Sequence, residues 1–145
     1  MTPIEHYELR LRERFAASAD GGEQLKIVLA MAGELPPFDP TLRTEEARLH
    51  GCQSRIWLVL GIDACSARLR VAADSDALLM RGLLTIAVGL YGDRTPREIV
   101  AYPPERLLGS GILEALAPSR ANGFARILGR IHGFAVQRCL KEDLP

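Results

Sequence analysis

Residues 74–92 read DSDALLMRGLLTIAVGLYG, and apolar residues occupy most positions of the segment. A helix that is apolar on nearly all of its faces is buried, so this stretch predicts a core helix over residues 76–91. Its start is marked by three common N-terminal caps: Asp74, Ser75 and Asp76. Gly82 and Gly89 are seven residues apart and share one face, where the missing side chains would let the helix lie close to a sheet.

Three shorter stretches before the core helix have the composition of β-strands. They cover residues 47–50, 55–60 and 66–73, and short turns between them favour an antiparallel meander with one covered face. Helical spacing of apolar residues predicts further helices over residues 3–17, 22–35 and 118–140, with a short one after Thr95. The expected fold is therefore α+β, with a small three-stranded antiparallel sheet packed against several helices.

Composition excludes several classes of protein. A length of 145 residues fits one domain over residues 1–145. Lys and Arg total 18, as do Asp and Glu, so bulk charge suits neither nucleic acid nor an anionic membrane. The apolar stretch 77–91 is shorter than the roughly 20 residues of a membrane-spanning helix. Three widely spaced cysteines fit neither a disulfide framework nor a metal site, so we expect a cytoplasmic protein.

The stretch HGCQS, residues 50–54, falls in the turn between the first two predicted strands. A structural cysteine usually lies in an apolar run, and Cys52 does not. Gly51 gives the turn backbone freedom, and Gln53 and Ser54 supply hydrogen-bond donors near a thiol, which reacts as the thiolate. The pattern alone leaves two interpretations open: a reactive thiol at an accessible turn, or a half-buried cysteine that fills space beside the tryptophan.

Other chemically capable residues also have both a structural and a functional interpretation. Cys65 and Cys139 are expected to be structural, since one begins a predicted strand and the other lies near the end of the last helix. His50 either steadies the thiolate or is simply hydrogen-bonded. Arg120 lies in the first turn of the last predicted helix, where the macrodipole disfavours a cation. Either another group binds its side chain, or the side chain is exposed to solvent. Asp74 is explained sufficiently as a cap, and a catalytic role is the less favoured interpretation.

Three blocks of the sequence resemble the SufE family of cysteine desulfuration proteins. They are HGCQSRIW at residues 50–57, DSDALLMRGLL at 74–84 and LAPSRANGF at 116–124, in the family's order and at similar intervals. The resemblance covers nearly the whole chain. It implies a fold shared with IscU-type scaffolds and a persulfide carrier without a cofactor of its own.

The resemblance also implies a chemical role for individual residues. The family's acceptor cysteine lies in its GCQS block, which makes Cys52 the residue expected to take sulfur from a pyridoxal-phosphate-dependent, SufS-like cysteine desulfurase. The carrier would stimulate that enzyme and hand sulfur to an iron–sulfur cluster scaffold, so it is not expected to be a stand-alone enzyme. Asp74 and Arg120 match a family aspartate and arginine that lie near the acceptor loop or the docking surface.

Alternatives to the carrier differ in what Cys52 does. A cluster scaffold with the same fold is disfavoured, because Cys65 and Cys139 are distant from Cys52 in the sequence and no other cysteine exists. A binding module that activates a desulfurase without accepting sulfur remains open. So does a CsdE-like sulfur acceptor that serves another pathway.

Overall fold

The structure is a computed structural model that describes residues 1–18 and 20–142. Within these residues it contains six α-helices and one sheet, which confirms the α+β class. The helices are α1 (Pro3–Ala16), α2 (Gly21–Met31), α3 (Leu78–Tyr91), α4 (Pro96–Val100), α5 (Pro104–Leu108) and α6 (Pro118–Glu142). The strands β1 (Ile56–Ile62) and β2 (Leu69–Ser75) lie between α2 and α3, and single-turn 3-10 helices occupy Ala32–Glu34 and Pro40–Leu42.

Side-chain caps explain where the first helices and α4 begin. The Thr2 hydroxyl accepts from the Glu5 backbone N–H, and the Glu5 carboxylate accepts from the Thr2 backbone N–H, which is a capping box. Asp20 caps α2. Thr95 and Glu98 form a second capping box at α4, where Pro96 occupies the first turn.

The sheet has two strands rather than the three predicted from the sequence. β1 and β2 pair antiparallel from Ile56 opposite Ser75 to Ile62 opposite Leu69. Residues 47–50, predicted as the first strand, form only an isolated bridge in which Arg48 pairs with Trp57. The chain is in a turn at residues 45–47 and bends again after residue 50, so too few extended residues remain for a strand.

The connection between β1 and β2 corrects a second prediction. Residues 66–68 belong to a turn, and β2 runs from Leu69 to Ser75 instead of over residues 66–73. Asp63 holds the turn by accepting from the Ser66 hydroxyl and N–H at 2.8 and 3.2 Å, and Ala67 adopts a positive φ of 59°. Cys65 is therefore an exposed turn residue and does not begin a strand.

The predicted core helix is confirmed as the centre of the molecule. α3 packs against α1, α2, α6 and β2. Its fully buried side chains are Leu83, Leu84, Ile86, Ala87, Leu90 and Tyr91. The predicted caps are wrong, because α3 begins at Leu78, and Asp74 and Ser75 are the last residues of β2. The carboxylates of Asp74 and Asp76 bond to other parts of the chain instead.

The two glycines of α3 face helices rather than the sheet. A β-carbon on Gly82 would lie 2.0 Å from the carbonyl oxygen of Val28 in α2. On Gly89 it would lie 2.3 Å from the Tyr7 ring in α1. The expectation of a close approach is correct, but it brings α3 against the N-terminal helices, and the sheet covers another face of α3.

α6 begins at the predicted residue and continues to Glu142. Its predicted apolar face is buried in the core: Phe124, Ile127, Leu128, Ile131 and Ala135. The opposite face carries Arg126 and Arg130, both exposed. The first half of α6 therefore presents a core-facing side and a polar side directly beside the loop that precedes β1.

A partly buried polar contact joins α1 to the segment before α5. The Tyr102 hydroxyl donates to the Glu8 carboxylate, which also accepts from Arg12 at 2.8 Å. Desolvation raises the pKa of the Glu8 carboxyl, but the hydrogen bonds from Tyr102 and Arg12 outweigh that effect and lower the pKa below the usual 4.5. Burial is the largest effect that raises the pKa of Tyr102, and the hydrogen bond to the Glu8 carboxylate raises it further. The ionised form of Glu8 thus stabilises this contact.

Candidate functional site

Cys52 lies in a loop of residues 50–55, which we call the Cys52 loop, between the isolated bridge and β1. The residue is half-buried and packs against the core. Its sulfur lies over Gly123 of α6, where a β-carbon would be 3.7 Å from Sγ and 3.4 Å from the Met80 Cε. The thiol is thus seated against the backbone of α6 at a position with no side chain.

Gly51 fits the loop for two independent reasons. Its φ is +88°, a left-handed conformation that glycine adopts without strain. A β-carbon there would also lie 3.0 Å from Nη2 and 3.1 Å from Cζ of Arg126. The Arg126 guanidinium packs directly over this glycine and donates to the backbone carbonyl of His50.

Arg120 holds the other end of the same loop. Its Nη1 donates to the Ser54 hydroxyl oxygen at 2.6 Å. The sequence left open whether another group holds this arginine, and the partner is a hydroxyl group rather than a carboxylate or a thiolate. Arg120 and Arg126 lie three residues before and after Gly123, about 4.5 Å along the helix axis on each side. The two arginines therefore bind the loop on either side of Cys52, at residues 50–51 and at Ser54.

The corner between β2 and α3 anchors the loop where it enters β1. The Asp76 carboxylate accepts from the Arg55 N–H at 2.9 Å. The Ser75 hydroxyl donates to the Arg55 carbonyl at 2.6 Å and accepts from the Ala77 N–H at 3.2 Å. Both backbone groups of residue 55 are therefore hydrogen-bonded at the junction between the loop and β1.

Asp74 directly precedes Ser75 in β2. Its carboxylate binds arginine side chains that lie outside the Cys52 loop. The carboxylate is buried, and its Oδ2 accepts from Arg43 at 2.7 and 3.1 Å. Arg81 Nε lies 3.5 Å from the other oxygen. Arg43 also lies over the ring of Trp57, the cross-strand partner of Asp74, at 5.8 Å. Asp74 thus organises a surface beside the loop.

His50 and Gln53, also predicted as site residues, contribute differently. The His50 ring is largely exposed, with Nε2 3.1 Å from a Glu45 carboxylate oxygen, so its carbonyl is the part that contacts α6. Gln53 is exposed to solvent. Cys139 is half-buried on α6, far along the helix from Gly123.

Arg126 and Gly123 are site residues that the sequence prediction missed. A signal did exist, because residues three apart are neighbours on a helix surface, and Arg120, Gly123 and Arg126 follow that spacing. What the sequence does not reveal is that the Cys52 loop lies across this part of α6.

The assembled site offers one nucleophile, the Cys52 thiol, in a loop that two arginine side chains hold against α6. Across residues 1–18 and 20–142, no group of three or more His, Cys, Asp or Glu side chains is arranged to hold a metal ion. No helix in the described part of the chain is both long and apolar enough to cross a membrane.

Comparisons with known proteins show the family to which the chain belongs. The family model named SufE, described as an Fe-S metabolism associated domain, matches residues 9–135. An uncharacterized SufE-like protein of Rhizobium meliloti (strain 1021) is 30% identical over 127 residues, covering 86% of this chain and 91% of that protein.

Two further comparisons reach a longer protein and a solved structure. The chloroplastic quinolinate synthase of Nicotiana tabacum is 30% identical over 121 residues, covering 81% of this chain. The match spans only 17% of that enzyme. The solution structure of a hypothetical protein from Thermus thermophilus superposes with a TM-score of 0.73 at 19% identity, covering 94% of this chain and 97% of that one. The last comparison shows that the two share a fold.

Proposed function

Because the chain belongs to the SufE family and therefore to Fe–S metabolism, we propose that it is a persulfide carrier that accepts sulfur on Cys52. The donor is a pyridoxal-phosphate-dependent cysteine desulfurase of the SufS-like kind, which the carrier stimulates. The acceptor is the machinery that assembles iron–sulfur clusters. Pyridoxal phosphate belongs to the partner, and this chain contributes only its own side chains.

The observation that carries the proposal is the seating of Cys52. Its thiol is half-buried against Gly123, yet it belongs to a surface loop whose ties to α6 come from two arginine side chains. A cysteine that only fills space in the core does not require a loop held in this way. A persulfide carrier requires both an open and a seated loop, since its thiol must reach a partner's active site and must afterwards protect the sulfur that it holds.

The chemistry balances without an oxidant or a reductant. The Cys52 thiolate attacks the terminal sulfur of the desulfurase persulfide, and a new S–S bond forms on Cys52. The S–S bond of the donor breaks, and the desulfurase cysteine leaves as a thiolate. The terminal sulfur passes to Cys52 with its proton, so the sulfane sulfur changes hands with no net change of oxidation state.

The residues around the loop have separate roles in this proposal. Arg120 and Ser54 hold the loop against α6 in the resting state. Asp74, with the arginines that bind it and the exposed Leu78 nearby in the chain, belongs to the surface that docks the desulfurase. The setting is the cytoplasm, and residues 1–145 act as one domain.

Mass spectrometry after turnover tests the proposal. The protein is incubated with a cysteine desulfurase, pyridoxal phosphate and free cysteine, and its intact mass is measured before and after a thiol reductant. Wild-type protein should gain one or more sulfur atoms that the reductant removes, and Cys52→Ser should gain none.

The controls separate the carrier from its alternatives. Cys65→Ala and Cys139→Ala, which alter the other two cysteines, should still be loaded. If Cys52→Ser stimulates the desulfurase as strongly as wild type and neither protein is loaded, the chain is a binding module that activates the enzyme without accepting sulfur.

A further inference from the structure

Arg126 makes a contact that no other surface arginine of α6 makes within the described residues. Its guanidinium packs so close to Gly51 that a β-carbon there would be 3.0 Å from Nη2 and 3.1 Å from Cζ. The same group donates to the His50 carbonyl. Arg126 is exposed on α6, so this interaction is made across the surface and not enforced by burial.

The loop has few other ties at this end. Leu49 is buried and its N–H donates to the Ile56 carbonyl at 2.8 Å, which fixes the residue before the loop. At the opposite end, residue 55 is fixed by the β2–α3 corner. Between these fixed points, the loop is bound to α6 through Arg126 at residues 50 and 51 and through Arg120 at Ser54.

From this arrangement we infer that Arg126 is a positioning residue that keeps Cys52 seated over Gly123, and that its release is required for the thiol to leave α6. Gly51 is the pivot, because its positive φ and the close guanidinium belong to the seated conformation. The inference deepens the proposed carrier function and rests on it where sulfur protection is concerned. The seating itself does not depend on that function.

Thiol reactivity measures the seating directly. In a Cys65→Ser, Cys139→Ser background, only Cys52 reacts with iodoacetamide, and no desulfurase is needed. One lost hydrogen bond and its packing should raise the rate of alkylation about three- to tenfold in Arg126→Ala, because the reagent attacks the unseated loop. Arg126→Lys should fall between Arg126→Ala and the parent, since a lysine can donate to a carbonyl but lacks the planar group that covers Gly51.

The matched control is Arg130→Ala, which removes an exposed arginine one turn further along α6. Its alkylation rate should equal that of the parent. Equal rates for Arg126→Ala and Arg130→Ala would overturn the inference. So would an alkylation rate that increases with urea as steeply as global unfolding does, because the reagent would then be reporting the opening of the whole protein.

A second readout uses the loaded protein. Once Cys52 carries persulfide, Arg126→Ala should lose it to a thiol reductant several times faster than Arg130→Ala does. If no variant accepts sulfur, the proposed carrier function is wrong. The alkylation rates still test whether Arg126 seats Cys52, because they need no desulfurase. If sulfur is accepted and is lost at the same rate from both variants, Arg126 does not protect it, and the inference fails.

Discussion

Filling the space at Gly123 should unseat Cys52. A β-carbon at residue 123 would already lie 3.7 Å from Sγ and 3.4 Å from the Met80 Cε. Valine adds two γ-carbons about 1.5 Å further out. At least one would then approach the sulfur or the methionine closer than the roughly 3.5 Å of normal carbon contact. Overpacking of this kind typically costs about 1–3 kcal/mol.

This strain exists only while the loop is seated, so Gly123→Val should favour the open loop. Each 1 kcal/mol of strain raises the open population about fivefold. We therefore expect iodoacetamide to alkylate Cys52 at least about fivefold faster, measured in the background that lacks Cys65 and Cys139. The free energy of unfolding, from urea titration, should fall by less than the full strain because loop opening relieves part of it.

Gly129→Val is the matched control on the same helix. A β-carbon at Gly129 meets no atom within 4 Å. The substitution changes helix propensity by only a few tenths of a kcal/mol, in the stabilising direction. Equal alkylation rates and equal stabilities for the two valine variants would show that Cys52 is not seated on residue 123, and the site described above would have to be abandoned.

Three other predictions address the core, the loop and pH. Leu84→Ala should cost about 2–5 kcal/mol in urea unfolding because the side chain is fully buried, and an unchanged midpoint would contradict the central position of α3. Arg120→Ala, which frees Ser54, should reduce sulfur loading more than it reduces stability, whereas matching effects in Arg130→Ala would remove Arg120 from the site. Because the pKa of Glu8 is lowered in the folded state, its contribution is present above pH 4.5 and is lost as pH falls. The stability difference between wild type and Glu8→Gln should therefore shrink from pH 7 to pH 3, and a constant difference would refute this.

The helices could be predicted from the sequence because local patterns determine them. The core helix is apolar on nearly every face, and α6 has a single apolar stripe, so each signal lies within one element. The position of Cys52 in a loop before β1 was also predictable, because Gly51 breaks the extended pattern. These features need no knowledge of distant contacts.

The errors arise where a distant partner decides the structure. Asp74 and Asp76 looked like caps because carboxylates commonly cap helices, but Arg43 and the Arg55 backbone, both outside α3, bind them. The first predicted strand fails because the turn at residues 45–47 leaves room for only one bridge.

The spacing of Arg126 on the last helix is not enough to show its importance, which depends on tertiary structure. On the sequence Arg126 and Arg130 are both simply arginines on the polar face of the last helix. The structure places the Arg126 guanidinium on Gly51 and the His50 carbonyl, so Arg126 belongs to the site and Arg130 is the suitable control. Only the path of the Cys52 loop distinguishes the two positions.

A single-turnover transfer of labelled sulfur tests the central claim most directly. A desulfurase is loaded with radioactive persulfide, freed of cysteine and mixed with an equal amount of this protein. We predict that label leaves the desulfurase and appears, in matching amount, on the peptide that contains Cys52, and that Cys52→Ser leaves the label on the enzyme. Label that remains on the desulfurase in the presence of wild-type protein, or that moves equally well to Cys52→Ser, would contradict the account.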